Sequence, residues 1–117
     1  MNGPLLKDRV LLVSGGTQGL GAGIARRAAA EGAAGVAVTG RNADSGEKLA
    51  AELTESGVDA RFIKTDLADV EQARASVLST IAAFGRIDCA VNAAGLTTRG
   101  TMLDTTPELF DAHIAVN

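Results

Sequence analysis

Four short strand-like runs, the first two continuously apolar, alternate with stretches of helical period along most of the chain. Residues 9–14 form a continuous apolar run bounded by glycine, the pattern of a strand buried on both faces. An alanine-rich stretch follows over residues 22–31, with Leu20, Ile24 and Ala28 at helical spacing and Gly32 as its stop. Residues 35–39 (Gly-Val-Ala-Val-Thr) predict a second strand, and Gly40-Arg41-Asn42 a turn with Asn42 as an N-cap. Leu49 and Leu53 share one face of the next helix, Glu47, Lys48, Glu52 and Glu55 form its solvated surface, and Gly57 ends it.

The alternation then continues. Residues 60–65 predict a third strand, and Asp66-Leu67-Ala68-Asp69 the turn after it. Asp69 with Gln72 fits a capping box. Val70, Ala73, Val77, Ile81 and Phe84 recur at three- and four-residue steps, which predicts an amphipathic helix with these as its apolar face. Gly85 closes that helix, and residues 87–91 predict a fourth strand running into Asn92-Ala93-Ala94-Gly95. Residues 96–105 are polar and without clear period. Thr106-Pro107 then opens a last helix, with Leu109, Phe110, His113 and Ile114 at helical steps.

The order β-α-β-α-β-α-β-loop-α implies parallel pairing with right-handed crossovers. The expected fold is α/β, a Rossmann-type doubly wound parallel sheet of four strands in the order 3-2-1-4, incomplete beyond the fourth. Ligands of such sheets sit at the carboxyl ends of the strands. Those ends carry Ser14 to Gly21, Gly40-Arg41, Asp66-Leu67 and Asn92 to Gly95.

Composition narrows the class. A length of 117 residues suits one domain. The net charge of -3 argues against a nucleic-acid binder, which usually shows a basic face. No apolar run approaches the ~18 residues of a membrane span, and the first residues lack the charged and apolar regions of a signal peptide. The single cysteine, Cys89, excludes an internal disulfide and reads as a buried, inert thiol. A cytoplasmic location is the default expectation. His113, the only histidine, reads as a surface or packing residue, and Asp104, Glu108 and Asp111 as solvated acids.

Candidate chemistry centres on the turn between the first strand and first helix. A helix N-terminus presents unpartnered N–H groups and partial positive charge, which suits a phosphate. Gly15, Gly19 and Gly21 give the spacing G-x-x-x-G-x-G. This is neither the G-x-G-x-x-G fingerprint nor a G-x-x-x-x-G-K-[ST] loop, since Ala22 stands where lysine would follow. A tight turn without a ligand is the alternative. After the second strand, Gly40 and Arg41 replace the acid that usually binds the adenosine ribose. An arginine can pair with a 2′-phosphate through its planar fork, favouring NADP(H) over NAD(H); the alternative is a solvated loop arginine. Asp66 could accept from an adenine amino group or simply form a turn. Asn92 could bridge backbone groups beside a cofactor, though an isolated asparagine would mean little.

Taken together, these residues resemble the short-chain dehydrogenase/reductase family in its classical form, over residues 9–117. The run Ser14-Gly15-Gly16-Thr17-Gln18-Gly19-Leu20-Gly21 is similar to that family's T-G-x-x-x-G-x-G loop, with Ser for Thr. Gly40-Arg41 is similar to its NADP-preferring members, and Asp66-Leu67 to the Asp that meets adenine. Val91-Asn92-Ala93-Ala94-Gly95 resembles the N-N-A-G motif with Ala93 for the second Asn. Asn117 fits the asparagine that joins Ser, Tyr and Lys in the family's proposed catalytic tetrad.

The resemblance implies that residues 1–117 are an NAD(P)-binding domain, the N-terminal half of an oxidoreductase that moves a hydride between nicotinamide and a carbonyl or alcohol substrate. It implies that Gly15 to Gly21 hold the pyrophosphate, Arg41 the 2′-phosphate, Asp66 the adenine and Asn92 to Gly95 the neighbouring ribose, while Asn117 orders a water in a proton relay. Thr97, Thr98, Arg99 and Met102 would border the substrate pocket. It also implies a homo-oligomer at full length and no metal. The chain has no tyrosine, so it lacks the family's Tyr-x-x-x-Lys and is expected to be inactive in isolation. A non-enzymatic nucleotide-binding or interaction module is the alternative. A methyltransferase on the same sheet would want an acid where Gly40-Arg41 stands.

Overall fold

A computed structural model describes residues 4–96 and 98–117. The strands are β1 (Val10–Ser14), β2 (Gly35–Gly40), β3 (Asp59–Lys64) and β4 (Cys89–Asn92). The α-helices are α1 (Gly19–Ala30), α2 (Ala43–Glu55), α3 (Val70–Phe84) and α4 (Pro107–Val116), with a 3-10 turn at Met102–Asp104. The strands form one parallel sheet in the order β3-β2-β1-β4, as the alternation predicts. Ser14 lies level with Thr39 on one side and Asn92 on the other, so three strand ends make one straight rim.

Strand alternation divides the core. Leu11, Val13, Val36, Val38 and Ala60 pack with the buried alanines of α1 and with Leu49 and Leu53 of α2. The alternate positions Leu12 and Ala37 are also buried and face the other side, across which α3 runs. The lead-in is tied down as well: Leu6 packs against the core and donates its N–H to Glu31 O at 2.9 Å.

Two helix faces differ from expectation. On α1 the buried stripe is Ala22, Ala25 and Ala28, Ile24 is half-buried, and Leu20 is 77% exposed. The fully buried side chains of this helix are all methyl groups, Ile24 packs at their margin, and Leu20 sits on the first turn, outside that contact. On α3 the buried residues are Ser76 and Thr80, whereas Val70, Val77 and Ile81 of the predicted apolar face are exposed. Burial of these hydroxyls is cheap because the helix satisfies them. Ser76 Oγ donates to Ala73 O at 2.7 Å, and Thr80 Oγ1 to Ser76 O at 2.8 Å. Phe84 does reach the core edge, where a Cβ on Gly35 would meet its ring at 2.6 Å.

Cys89 is exposed rather than buried. It lies on β4, which pairs only with β1 among the described strands. The capping expectations resolve in detail. Asn42 Oδ1 accepts from Ser45 N, as its N-cap role requires. Asp69 Oδ1 accepts from the Glu71 and Gln72 N–H groups, and the Gln72 side chain returns to the same turn, donating Nε2 to Asp69 Oδ2 at 3.2 Å and accepting from Asp66 N at 2.8 Å, so it bonds the Asp69 carboxylate rather than the Asp69 N–H of a strict capping box. Asp104 is engaged rather than free: Thr101 and Asp104 form a reciprocal capping box at the 3-10 turn.

Candidate cofactor site

The rim of the sheet is stitched by backbone. Ala93 N donates to Ser14 O at 2.8 Å, Gly16 N to Thr39 O at 3.0 Å, and Thr65 N to Gly40 O at 2.8 Å. These bonds carry the sheet's register into the loops that follow each strand. Above them lies a cavity of about 310 Å3. Its walls include Gly15, Thr17, Gln18 and Gly19 from the glycine turn, Arg41 after β2, Asp66 and Leu67 after β3, and Ala93, Ala94 and Gly95 after β4. Residues from four separate stretches of sequence therefore meet in one concave site.

The glycines have different tasks. Gly15 has φ +74°, and a Cβ there would come within 2.5 Å of the Ala94 backbone. Its lack of a side chain lets the first and fourth loops touch. Gly21 is buried, and a Cβ there would collide with the Gly15 carbonyl oxygen. It lets α1 approach the turn but does not line the cavity. Leu20 points to solvent, and Asn92 is exposed and also outside the lining. No side-chain bridge from Asn92 to backbone occurs among the described residues.

The start of α1 differs from every other described α-helix start. Asn42 caps α2, Asp69 caps α3 and Thr106 caps α4, each by a side-chain oxygen on a backbone N–H. Gln18, at the N-cap of α1, makes no such bond, and the first turn of α1 holds no acid. The first N–H groups of this helix are thus left for another acceptor.

Asp66 is held by its own turn, with Oδ1 accepting from Ala68 N at 3.0 Å and its N–H donating to Gln72. Asn117 is more committed than the sequence suggests. Its Oδ1 accepts from Leu96 N at 2.7 Å and its Nδ2 donates to Leu96 O at 3.0 Å. The amide thereby clamps the loop after β4 to the end of α4. Thr39, Thr65, Leu96 and Val116 also line the cavity and were not singled out by sequence. The two threonines carry a local signal, a polar residue closing an apolar run; Leu96 and Val116 arrive only through tertiary approach. Thr97 lies outside the described residues, and Thr98, Arg99 and Met102 are exposed beyond the cavity lining.

Ionisable groups with displaced pKa lie away from this rim. Asp88 is held below the usual carboxylate value, first by Arg86 at 2.7 Å and then by Val10 N–H at 2.8 Å, at the opposite end of the strands. Glu52 is lowered by Arg26, and Glu31 by the Leu5 N–H and Arg27. Among the described residues no group of three or more His, Cys, Asp or Glu could hold a metal ion. No described helix is long and apolar enough to cross a membrane.

Known proteins share this arrangement. The chain is 39% identical over 113 residues to the NADP-dependent (R)-specific alcohol dehydrogenase of Lentilactobacillus kefiri, covering 96% of this chain and 44% of that protein. A short-chain dehydrogenase/reductase from Serratia marcescens superposes with TM-score 0.89 at 38% identity, over 95% of this chain and 45% of that one. A short chain dehydrogenase from Burkholderia cenocepacia in complex with NADP gives TM-score 0.90 at 38% identity, over 97% and 46%. The chain thus spans less than half the length of these relatives. The family profile described as short chain dehydrogenase matches residues 9–117, and with this fold and rim the chain belongs to the short-chain dehydrogenase/reductase family of oxidoreductases.

Proposed function

We propose that residues 1–117 are the cofactor-binding half of an NADP(H)-dependent oxidoreductase acting on a carbonyl or alcohol. The observation that carries this reading is the uncapped start of α1 beside the glycine turn. Unpartnered N–H groups, a helix dipole and open glycine backbone together suit a pyrophosphate. Thr17, Gln18 and Gly19 would line that group. Arg41 would pair with the 2′-phosphate, Asp66 and Leu67 would meet the adenine, and Ala93 to Gly95 would face the neighbouring ribose. The NADP in the Burkholderia relative and the NADP dependence named for the Lentilactobacillus enzyme support the same cofactor. When bound, the reduced nicotinamide supplies the hydride.

This chain's residues bind and orient. Asn117, clamped on Leu96, acts as a positioning residue that fixes the wall after β4. Small-molecule substrate would approach past Leu96 and Val116, on the side of the cavity away from Arg41.

Replacing Arg41 with Asp tests the assignment. A charge-assisted hydrogen-bonded contact contributes about 1.5–3 kcal/mol. NADPH affinity should therefore fall by roughly 10- to 150-fold, with NADH affinity nearly unchanged. Equal weakening of both cofactors would defeat the 2′-phosphate role.

A further inference from the structure

Arginines in this chain are paired almost everywhere. Arg9 and Arg86 meet Asp88, Arg26 meets Glu52, Arg27 meets Glu31, Arg61 meets Asp59 and Arg74 meets Glu71, all within 4.0 Å. Of the eight arginines in the sequence, only Arg41 and Arg99 lack an ion pair among the described residues. Both follow the carboxyl end of a strand on the rim that carries the cavity. Arg41 already has a part in the cofactor reading, whereas Arg99 has none.

The setting of Arg99 is built rather than slack. Leu96, three residues before it, lines the cavity and is pinned through both backbone polar atoms by Asn117. Three residues of extended chain reach at most about 11 Å, which keeps Arg99 within side-chain reach of the cavity wall at Leu96. On its other side, Thr101 is locked to Asp104 by the reciprocal capping box. That box also removes the obvious local partner. Asp104 Oδ2 accepts from Thr101 N at 3.2 Å and from Thr101 Oγ1 at 3.0 Å. The nearest acid in the loop thus caps the 3-10 turn, and the guanidinium of Arg99 is left exposed without a counter-ion among the described residues.

We propose that Arg99 is a specificity-determining residue that receives an anionic oxygen group of the substrate, so that the substrate class is a carbonyl compound bearing a carboxylate or phosphate. The inference rests on the cofactor reading above, because the anion on Arg99 would belong to the carbonyl compound that the cofactor-loaded protein takes. A guanidinium fork matches either anion through two parallel N–H···O bonds. An unpaired cation close to a concave site also raises the local concentration of anionic ligands.

The test uses the full translated product that carries this chain, loaded with NADPH. Ligand binding is read from cofactor fluorescence, which needs no turnover. Acetoacetate is compared with methyl acetoacetate, and dihydroxyacetone phosphate with dihydroxyacetone. Each pair differs in the anion and keeps the ketone, and the two pairs separate carboxylate from phosphate. At least one anionic probe should bind tenfold or more tighter than its neutral partner. Arg99→Gln should erase that difference, Arg99→Lys should restore part of it, and NADPH affinity should stay unchanged in both variants. Equal binding within both pairs, no binding of any probe, or equal loss of charged and neutral probes in Arg99→Gln would overturn the inference. Failure of NADPH itself to bind the wild-type protein would instead remove the cofactor reading, and this inference with it.

Discussion

Three glycines close to the α1 start separate the costs of conformation, contact and helix entropy. Gly15 combines φ +74° with a would-be Cβ at 2.5 Å from Ala94 N and Cα and 2.8 Å from Ala94 Cβ. Gly19 has φ +56° and nothing within 4 Å of its would-be Cβ. Gly23 has neither a left-handed φ nor a close neighbour and lies inside α1. Left-handed backbone costs an L side chain about 1–2 kcal/mol. Forcing a methyl into a packed contact costs about 1–3 kcal/mol. Gly15→Ala should therefore destabilise by about 2–5 kcal/mol, since both contributions act. Gly19→Ala should cost about 1–2 kcal/mol from the backbone alone. Gly23→Ala should stabilise by about 0.5–1 kcal/mol through helix propensity.

Urea unfolding reads these values directly. With a slope near 2 kcal/mol/M, Gly15→Ala should lower the midpoint by about 1–2.5 M. Because the neighbour of Gly15 is the loop backbone after β4, relaxation there would widen the cavity, and NADPH affinity should fall as well. The reasoning fails if Gly15→Ala costs no more than Gly19→Ala, for then the approach of the first and fourth loops carries no energy.

Asp88 gives a prediction in pH. Its folded pKa lies below the ordinary value of 3.8, so its stabilisation is present above that value and is lost as pH falls through the lower folded one. Asp88→Asn should flatten the acid limb of a melting-temperature profile below about pH 4, and an unaltered limb would reject the assignment. Asn117→Ala removes two hydrogen bonds to Leu96, about 1–3 kcal/mol together. Amide exchange in α4 and at Leu96 should speed up more than in β1 and β2, and uniform acceleration would deny the local clamp. The two sheet edges also differ. β3 carries Asp59, Arg61 and Lys64, whereas β4 reads Cys-Ala-Val-Asn without a charge. An uncharged open edge invites strand pairing. The 117-residue chain alone should self-associate, Ala90→Lys should reduce its sedimenting mass, and a wild-type monomer would contradict the argument.

The two central strands were legible because each is a short apolar run bounded by glycine or polar residues and buried on both faces, whereas β3, with its charges, and the exposed β4 were legible chiefly through their place in the alternation. Boundaries moved where backbone geometry overrides residue type. Gly19 and Gly21 read as turn, yet α1 begins at Gly19, because its first N–H groups need no intrahelical partner and glycine tolerates the entry. The α3 face was misread for a chemical reason. Hydropathy counts Ser76 and Thr80 as outward residues, but hydroxyls bonded to their own helix carbonyls bury easily. Cys89 was misread for a topological one. Its strand is apolar, but in this sheet only β1 pairs with it among the described strands. Leu96 and Val116 could not be found by spacing at all, since the Asn117 clamp brings them to the cavity.

The cavity is shaped mostly by backbone, and this bears on how its chemistry can vary. Loop follows loop through main-chain bonds from Ala93 to Ser14, Gly16 to Thr39 and Thr65 to Gly40. The approach of Gly15 to Ala94 is also largely main chain. Thr17 packs its side chain against Gly40, whereas the exposed side chains of Gln18 and Arg41 make no hydrogen bond or ion pair among the described residues, so exchanging these two should retune ligand choice at little cost in stability. Gly15 and Gly21 are the reverse case: they present no group of their own to a ligand, yet the frame closes only because neither carries a Cβ. Asn117 belongs with the frame as well, because both polar ends of its amide are used on one peptide unit. Residues that hold the site and residues that select its ligand are therefore largely different sets, and substitutions in the two should separate experimentally into losses of folding and losses of specificity.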